Sequence, residues 1–260
     1  MIPPRRVLLT GAAGAIGAAI ARAMRAAWPE ARLALLDRDA AAMADLAREL
    51  GAATTHGADL RDVDALPALV RALDPPDRPD PIDGLVNCAG VMRVRRVATW
   101  AWDDARDLLA VDLLAPLRLQ ALLVPGMVER GRGVIVNVAS MAGKTPLKGC
   151  AYYGASKAGL GMASEIARAE LAPHGVRVVT VYPGPVRSAL EAGARADYGG
   201  GGWFGGLAPV GDATELARRI LAAIAQGAPR VVYPRLYEFG RLAPNLASWI
   251  ALTLGPPPVA

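Results

Sequence analysis

Cysteine is scarce in this 260-residue chain: Cys88 and Cys150 are the only two, and neither has a C-x-x-C or histidine partner nearby. Both sit among small apolar residues, which excludes a disulfide framework and points to buried thiols in a reducing compartment. Lysine is rarer than the net charge of +5 suggests, being confined to Lys144, Lys148 and Lys157. The basic character therefore comes from arginine, alongside abundant alanine, glycine and proline, and reads as compositional bias of the source genome. The densest basic cluster, MRVRRV at 92–97, has no interleaved aromatics and reads as a solvated or substrate-rim loop, so no nucleic-acid partner is expected. The opening MIPPRRVLLTG lacks the apolar core of a signal peptide, and no run of about 18 apolar residues is present to cross a bilayer. No metal-ligand cluster stands out. These absences together make a cytoplasmic location the expectation.

What is present is a globular composition, 53% hydrophobic and 20% charged, with apolar runs alternating with helical patterns. Strands are predicted at 7–10, 32–37, 83–90, 133–140, 176–184 and 230–234, with a weaker one at 52–60. Helices are predicted at 15–27, 39–50, 62–73, 103–129, 152–172 and 212–226, the last opened by Asp212 and Glu215 at capping-box spacing. The strands are apolar without alternation, as expected for a parallel sheet covered on both faces. The β/α alternation predicts one doubly wound α/β domain spanning 1–260. Two segments fall outside it. A glycine-rich stretch around Trp203 and Phe204 predicts a flexible substrate lid at about 189–211. The apolar tail at about 236–260 is expected to dock on the protein, ahead of a peripheral membrane contact.

Two constellations carry chemistry. In VLLTGAAGAIG the strand gives way to a glycine turn and a helix. Gly11 sits at the sharp turn and Gly17 where the helix meets the strand, so the helix N-terminus can take a pyrophosphate. Asp37 ends the next strand, placed to accept hydrogen bonds from an adenosine ribose diol and to repel a 2′-phosphate. NAD is therefore favoured over NADP, even with Arg38 alongside. The second constellation is Ser140 with Tyr153 and Lys157. The i, i+4 spacing puts the phenol and the ammonium on one helix face, where the ammonium is expected to lower the tyrosine pKa. Such a phenol is a general acid/base for an alcohol oxygen, which Ser140 would hydrogen-bond. Tyr152 is the competing phenol, but its i+4 neighbour is Ser156.

In order along about residues 5–235, these motifs resemble the single-domain short-chain dehydrogenase/reductase family. TGAAGAIG resembles its T-G-x-x-x-G-x-G loop through Thr10, Gly11, Ile16 and Gly17, with Ala15 at the middle glycine and Gly14 one position early. Asp59 and Leu60 resemble its adenine-contacting pair. NCAG keeps Asn87, Ala89 and Gly90 of its N-N-A-G motif. PGPVRS resembles its nicotinamide-holding stretch through Pro183, Gly184, Val186 and Ser188. The resemblance implies a Rossmann-like sheet of about seven strands and a homodimer or homotetramer formed through the two long helices. It also implies hydride transfer between NAD and an alcohol or carbonyl, with Tyr153 moving the proton, Ser140 orienting the oxygen, and Lys157 holding the nicotinamide ribose. The family's helix asparagine is replaced by Asp112. That change reads as a modest variant acting mainly through its backbone carbonyl, against the alternative that the carboxylate draws Lys157 away from Tyr153. Trp203, Phe204 and the tail suggest an apolar small-molecule substrate, such as a steroid-like, retinoid-like or acyl-chain alcohol. A non-catalytic dinucleotide-binding sensor or scaffold on the same fold is the alternative, which the intact Ser140, Tyr153 and Lys157 argue against.

Overall fold

The computed structural model describes residues 3–198, 209–238 and 242–259. Seven parallel strands form one sheet in the order β3-β2-β1-β4-β5-β6-β7. They are β1 (Arg6–Thr10), β2 (Arg32–Asp37), β3 (Ala53–Gly57), β4 (Gly84–Asn87), β5 (Gly133–Val138), β6 (Val176–Pro183) and β7 (Arg230–Tyr233). The order reverses between β1 and β4, which opens a crevice at their C-terminal ends, where ligands of such sheets bind.

Each face of the sheet is closed by helices whose apolar spacing matches the helical period. α1 (Ala15–Ala27) buries Gly17, Ile20, Ala21 and Met24, at i, i+3, i+4 and i+7. With α2 (Ala40–Leu50) and α8 (Ala213–Gln226) it covers Val7, Leu9, Val134, Val136 and Val138. On the other face, α3 (Leu66–Leu73) and α5 (Ala115–Glu129) cover Leu8, Leu85 and Ile135. Burial of each large side chain stabilises the fold by about 1.5–3 kcal/mol relative to exposure. Asp212 caps α8 as predicted, its Oδ1 accepting from Thr214 N (2.9 Å) and Glu215 N (3.1 Å). Glu215 does not complete the box, because it pairs with Arg218 and Arg219.

Two segments depart from the sequence reading, and the tail gains an element that reading did not predict. The helix predicted at 103–129 is α4 (Trp102–Leu109), a π-helical turn (Ala110–Leu114) and α5, the wider turn closing where Ala115 N–H bonds Ala110 O. From Trp102 to Glu129 it is long and apolar enough to cross a bilayer by length and composition, contrary to the expectation of no such run. Its apolarity is accounted for by the sheet, against which Leu119, Leu123 and Met127 are buried. Within the predicted lid, residues Ala189–Asp197 form α7, capped by Ser188, and Val186 pairs with Gly211. Trp203 and Phe204, on which the lid reading rested, lie outside the described residues. The tail contains a helix, α9 (Pro244–Leu254). It is fastened to the body where Lys148 Nζ donates to Gly255 O (3.0 Å) and Val259 N donates to Asp197 O (3.0 Å).

A buried polar ladder crosses the sheet just below its C-terminal ends. Asn87 Nδ2 donates to Asn137 Oδ1 (2.8 Å), and Asn137 Nδ2 donates to Ser164 Oγ (3.0 Å) on α6 (Ala151–Leu171), which meets Thr180 Oγ1 at 2.8 Å. It fixes β4, β5, β6 and α6 in one register. Replacing Asn137 by leucine leaves these groups unpaired, and is expected to cost about 2–3 kcal/mol in urea unfolding.

Candidate active site

The switch point is built by close backbone contact. Gly11 has φ of +69°, and a Cβ there would lie 2.6 Å from Ala89 Cα. One placed on Gly17 would lie 2.1 Å from Gly11 O. These two glycines are the structural pair the sequence predicted. Gly14, the N-cap of α1, is less constrained, its added Cβ meeting Gly11 O at 3.2 Å. Thr10 Oγ1 accepts from Cys88 N (3.1 Å) and Ala89 N (3.2 Å), strapping the end of β1 to the exit of β4. α1 starts with no side-chain cap and no acidic residue in its first turn, so its N–H groups and dipole face the crevice open to an anion. Ala15 is exposed in that first turn and Ile16 lines the main cavity. Asp37 accepts from Ala13 N (3.0 Å) and Asp39 N (3.2 Å), which sets a carboxylate against the glycine loop with Arg38 exposed beside it.

Not every predicted cofactor residue comes together. Asp59 is clamped by Arg61, whose Nε and Nη2 donate to Oδ2 at 2.9 and 2.5 Å, and the clamp lowers its pKa to about 2. Leu60 is buried in the core under α3 and α5. Ser188, by contrast, keeps its place at the cavity while it donates to Val186 O (3.0 Å) and caps α7.

Pro183, Gly184, Val186, Ser188 and Gly90 line a cavity of about 440 Å³ that also holds Ser140, Tyr153 and Lys157. The three catalytic candidates arrive from two elements. Ser140 follows β5, its Oγ accepting from Ala142 N (3.1 Å) and donating toward Pro183 O (3.5 Å). Tyr153 and Lys157 lie on the buried face of α6, with Lys157 Nζ 5.8 Å from the Tyr153 ring centroid. Tyr152 is turned away and packs edge-on against Trp100, centroids 5.1 Å apart.

The electrostatics correct the sequence reading. Lys157 Nζ lies 3.6 Å from Asp112 Oδ2 and donates to Val138 O (3.3 Å), and the Asp112–Lys157 pair is almost wholly buried. Asp112 Oδ1 accepts from Val91 N (2.8 Å), so the carboxylate itself is engaged, where the sequence reading looked to the backbone carbonyl. Burial raises the Asp112 pKa to about 6, against the lowering pull of Lys157. The tyrosine pKa is raised and not lowered. Burial of the phenol comes first and the negative charge of Asp112 second, while the facing Ser140 hydroxyl pulls the other way.

Sequence reasoning named the two segments that form the far wall of the cavity, the lid and the tail, but not how they sit. Ala247, Ile250 and Ala251 of α9 close one side, and Glu191 and Arg195 of α7, an ion pair 2.5 Å apart, stand on another. The apolar stripe in the tail was legible, but its docking place was not. Arg93 and Arg95 of the basic cluster share Asp104 (3.2 and 2.8 Å), while Met92 reaches the cavity, as a rim loop would. Among the described residues no cluster of metal-ligating side chains occurs.

The site accepts a dinucleotide on its own geometry. The glycine contact would be destroyed by any side chain, the start of α1 is uncapped, and Asn87 Oδ1 is buried without a hydrogen-bond partner. Fold and site together define a nucleotide-binding α/β protein in which a serine, a tyrosine and a lysine share one cavity. The family described as short chain dehydrogenase matches residues 5–199, and the chain belongs to the short-chain dehydrogenase/reductase family. It is 37% identical over 186 residues to the ketoacyl reductase HetN of a Nostoc strain, covering 70% of this chain and 63% of that protein. It is 35% identical over 244 residues to a fatty acyl-CoA reductase of Mycobacterium tuberculosis, covering 89% and 77%. Among solved structures, a short-chain dehydrogenase from Sphingobium yanoikuyae in complex with NADPH superposes with a TM-score of 0.77 at 28% identity, covering 93% and 92%.

The buried pair gives a stability test. Because its folded pKa lies above the ordinary 3.8, the stability linked to Asp112 is full below pH 4 and declines as pH rises through about 6. Replacing Lys157 by methionine removes the facing cation and deepens that decline. Thermal melts should show the variant losing about 3 kcal/mol or more at pH 8, and recovering much of it at pH 5, where Asp112 takes up a proton.

Proposed function

We propose that the chain is an NAD-dependent oxidoreductase that interconverts an apolar secondary alcohol or acyl-chain alcohol with its carbonyl compound. The observation that carries this reading is the convergence of Ser140, Tyr153 and Lys157 on one cavity whose other walls are mainly apolar side chains of the segment 183–190 and α9. When bound, the nicotinamide supplies or accepts the hydride. The chain does the rest. Tyr153 exchanges a proton with the substrate oxygen, Ser140 hydrogen-bonds that oxygen, and Lys157 holds the ribose, with its aliphatic stem buried on α6. The start of α1 receives the pyrophosphate, and the Gly11–Ala89 contact keeps β1 and β4 close beneath it.

The preference for NAD rests on Asp37. A carboxylate held by Ala13 N and Asp39 N cannot turn away from a ribose 2′-phosphate without giving up both bonds. Arg38 is the opposing influence, and the Sphingobium relative is a complex with NADPH. A homo-oligomer formed through the long helices is supported by exposed apolar residues on them, Leu114, Met162 and Ile166. The cytoplasmic location stays a proposal from the reduced state implied by two free cysteines.

The deciding experiment is a panel of alkyl ketones, ketosteroids and sugars, followed by loss of reduced-cofactor absorbance. Apolar ketones are expected to be turned over with NADH preferred to NADPH by at least about tenfold, the scale of a like-charge contact. A clear preference for sugars overturns the substrate class, and a preference for NADPH overturns the cofactor. Tyr153→Phe is expected to lower turnover by about 10²–10⁴-fold while NADH still quenches protein fluorescence. Retained turnover in that variant overturns Tyr153 as the proton donor, whereas a wild type that binds NADH and turns over no carbonyl restores the sensor reading.

Ala251 tests the cavity wall. Its replacement by tryptophan should fill space between α9 and α7, lowering kcat/KM for long-chain ketones by about tenfold or more. Small ketones should keep theirs, since one or two methylenes of lost contact are worth about 1–3 kcal/mol.

A further inference from the structure

The buried face of α6 carries both a proton donor and a cation, yet the cation is spent elsewhere. Lys157 Nζ lies 3.6 Å from Asp112 Oδ2 and bonds Val138 O, and neither member of this pair is exposed. An ammonium with an equal opposite charge beside it exerts little net field on a third group. Tyr153, one turn away on the same helix, therefore faces a neutral pair. A neutral amide at position 112, as in the family pattern, would leave the lysine charge unopposed.

We propose that Asp112 is a positioning residue that cancels the charge of Lys157, keeps Tyr153 as a neutral phenol, and so commits the site to carbonyl reduction at neutral pH. This rests on the oxidoreductase reading of the same site. In that direction the carbonyl carbon gains the hydride and the carbonyl oxygen gains the phenol proton. The phenolate left behind is reprotonated from water, so carbonyl, hydride and proton sum to alcohol. Alcohol oxidation needs the phenolate first, which the neutral pair disfavours.

The neighbouring titratable groups leave this balance to Asp112. Cys88 at the exit of β4 and Cys150 at the start of α6 are pushed up to about 12 and about 11 by burial, and stay uncharged at neutral pH. Tyr198, after α7, meets Cys150 through its hydroxyl and is raised as well. Glu191 on α7 is closed on Arg195, and Asp37 lies across the glycine loop, bonded to Ala13 N.

The first arm of the test needs neither cofactor nor substrate. Phenolate absorbance of the cofactor-free protein is titrated with base, and the same titration of Tyr153→Phe is subtracted to isolate Tyr153. The wild type should show no Tyr153 phenolate before alkaline unfolding. Asp112→Asn, and Asp112→Ser as a second uncharged variant, should show it at least about one pH unit lower, a tenfold fall in proton affinity. The rising limb of the pH profile for alcohol oxidation should move down with it. No transition in either variant before unfolding, or a turnover that falls with an unmoved pH profile, overturns the proposal. A shifted phenolate in a protein that turns over no apolar carbonyl supports the role of Asp112, and overturns the substrate reading alone.

Discussion

The site rests on one contact between main chains, where the turn after β1 meets the turn after β4. Gly11 lies so close to Ala89 that a single methyl would force the two strand ends apart, and Gly17 lies so close to the Gly11 carbonyl that α1 starts directly on the turn. The Thr10 hydroxyl closes the joint by taking two N–H groups of the β4 exit. Everything at the crevice inherits its position from this joint. The uncapped start of α1 can aim at a phosphate only because nothing stands between it and β1. Lys157 and Asp112 meet beside Gly90, on the chain leaving β4.

A second constraint is electrostatic. The buried face of α6 is polar over most of its length, with Tyr153, Ser156, Lys157 and Ser164 all turned inward. A sheet covered by such a helix must satisfy each group or lose stability. The structure does so in two tiers. The lower is the neutral ladder of Asn87, Asn137, Ser164 and Thr180, which ties strands to helix. The upper is the charged pair of Lys157 and Asp112, made possible by the π-helical turn that carries Asp112. Desolvation raises both the Asp112 carboxyl and the nearby Tyr153 phenol. In a water-excluded pocket, the sign of the net charge around Tyr153 matters more than the number of polar groups.

The tail adds the third element. Residues 242–259 carry no charged side chain, and α9 turns Ala247 and Ala251 inward while leaving Leu246, Trp249 and Leu252 outward. Small residues on the inner face let the helix approach the catalytic cavity closely while leaving room inside it. The anchoring bonds lie beyond the helix, at Gly255 and Val259. The cavity wall is therefore fixed by the last residues of the described chain.

Much of this was legible in the sequence. Uninterrupted apolar strands, glycines at a strand-to-helix turn, an i, i+4 tyrosine and lysine, and a serine ending a strand are local patterns. Their local physics survives in the fold: Gly11 and Gly17 pair, Tyr153 and Lys157 share a face, and seven strands lie parallel. The sign of the tyrosine shift was not legible, because spacing shows which charges share a helix but not which charge from another element reaches them. Nor does a tail sequence show where it docks. Sequence alone determined the sheet, the glycine turn that opens α1 and the shared face of Tyr153 and Lys157, since each depends on neighbours a few positions apart. Only the tertiary structure decided that Asp112 meets Lys157 and that α9 walls the cavity, since both are contacts between distant segments set by how they pack.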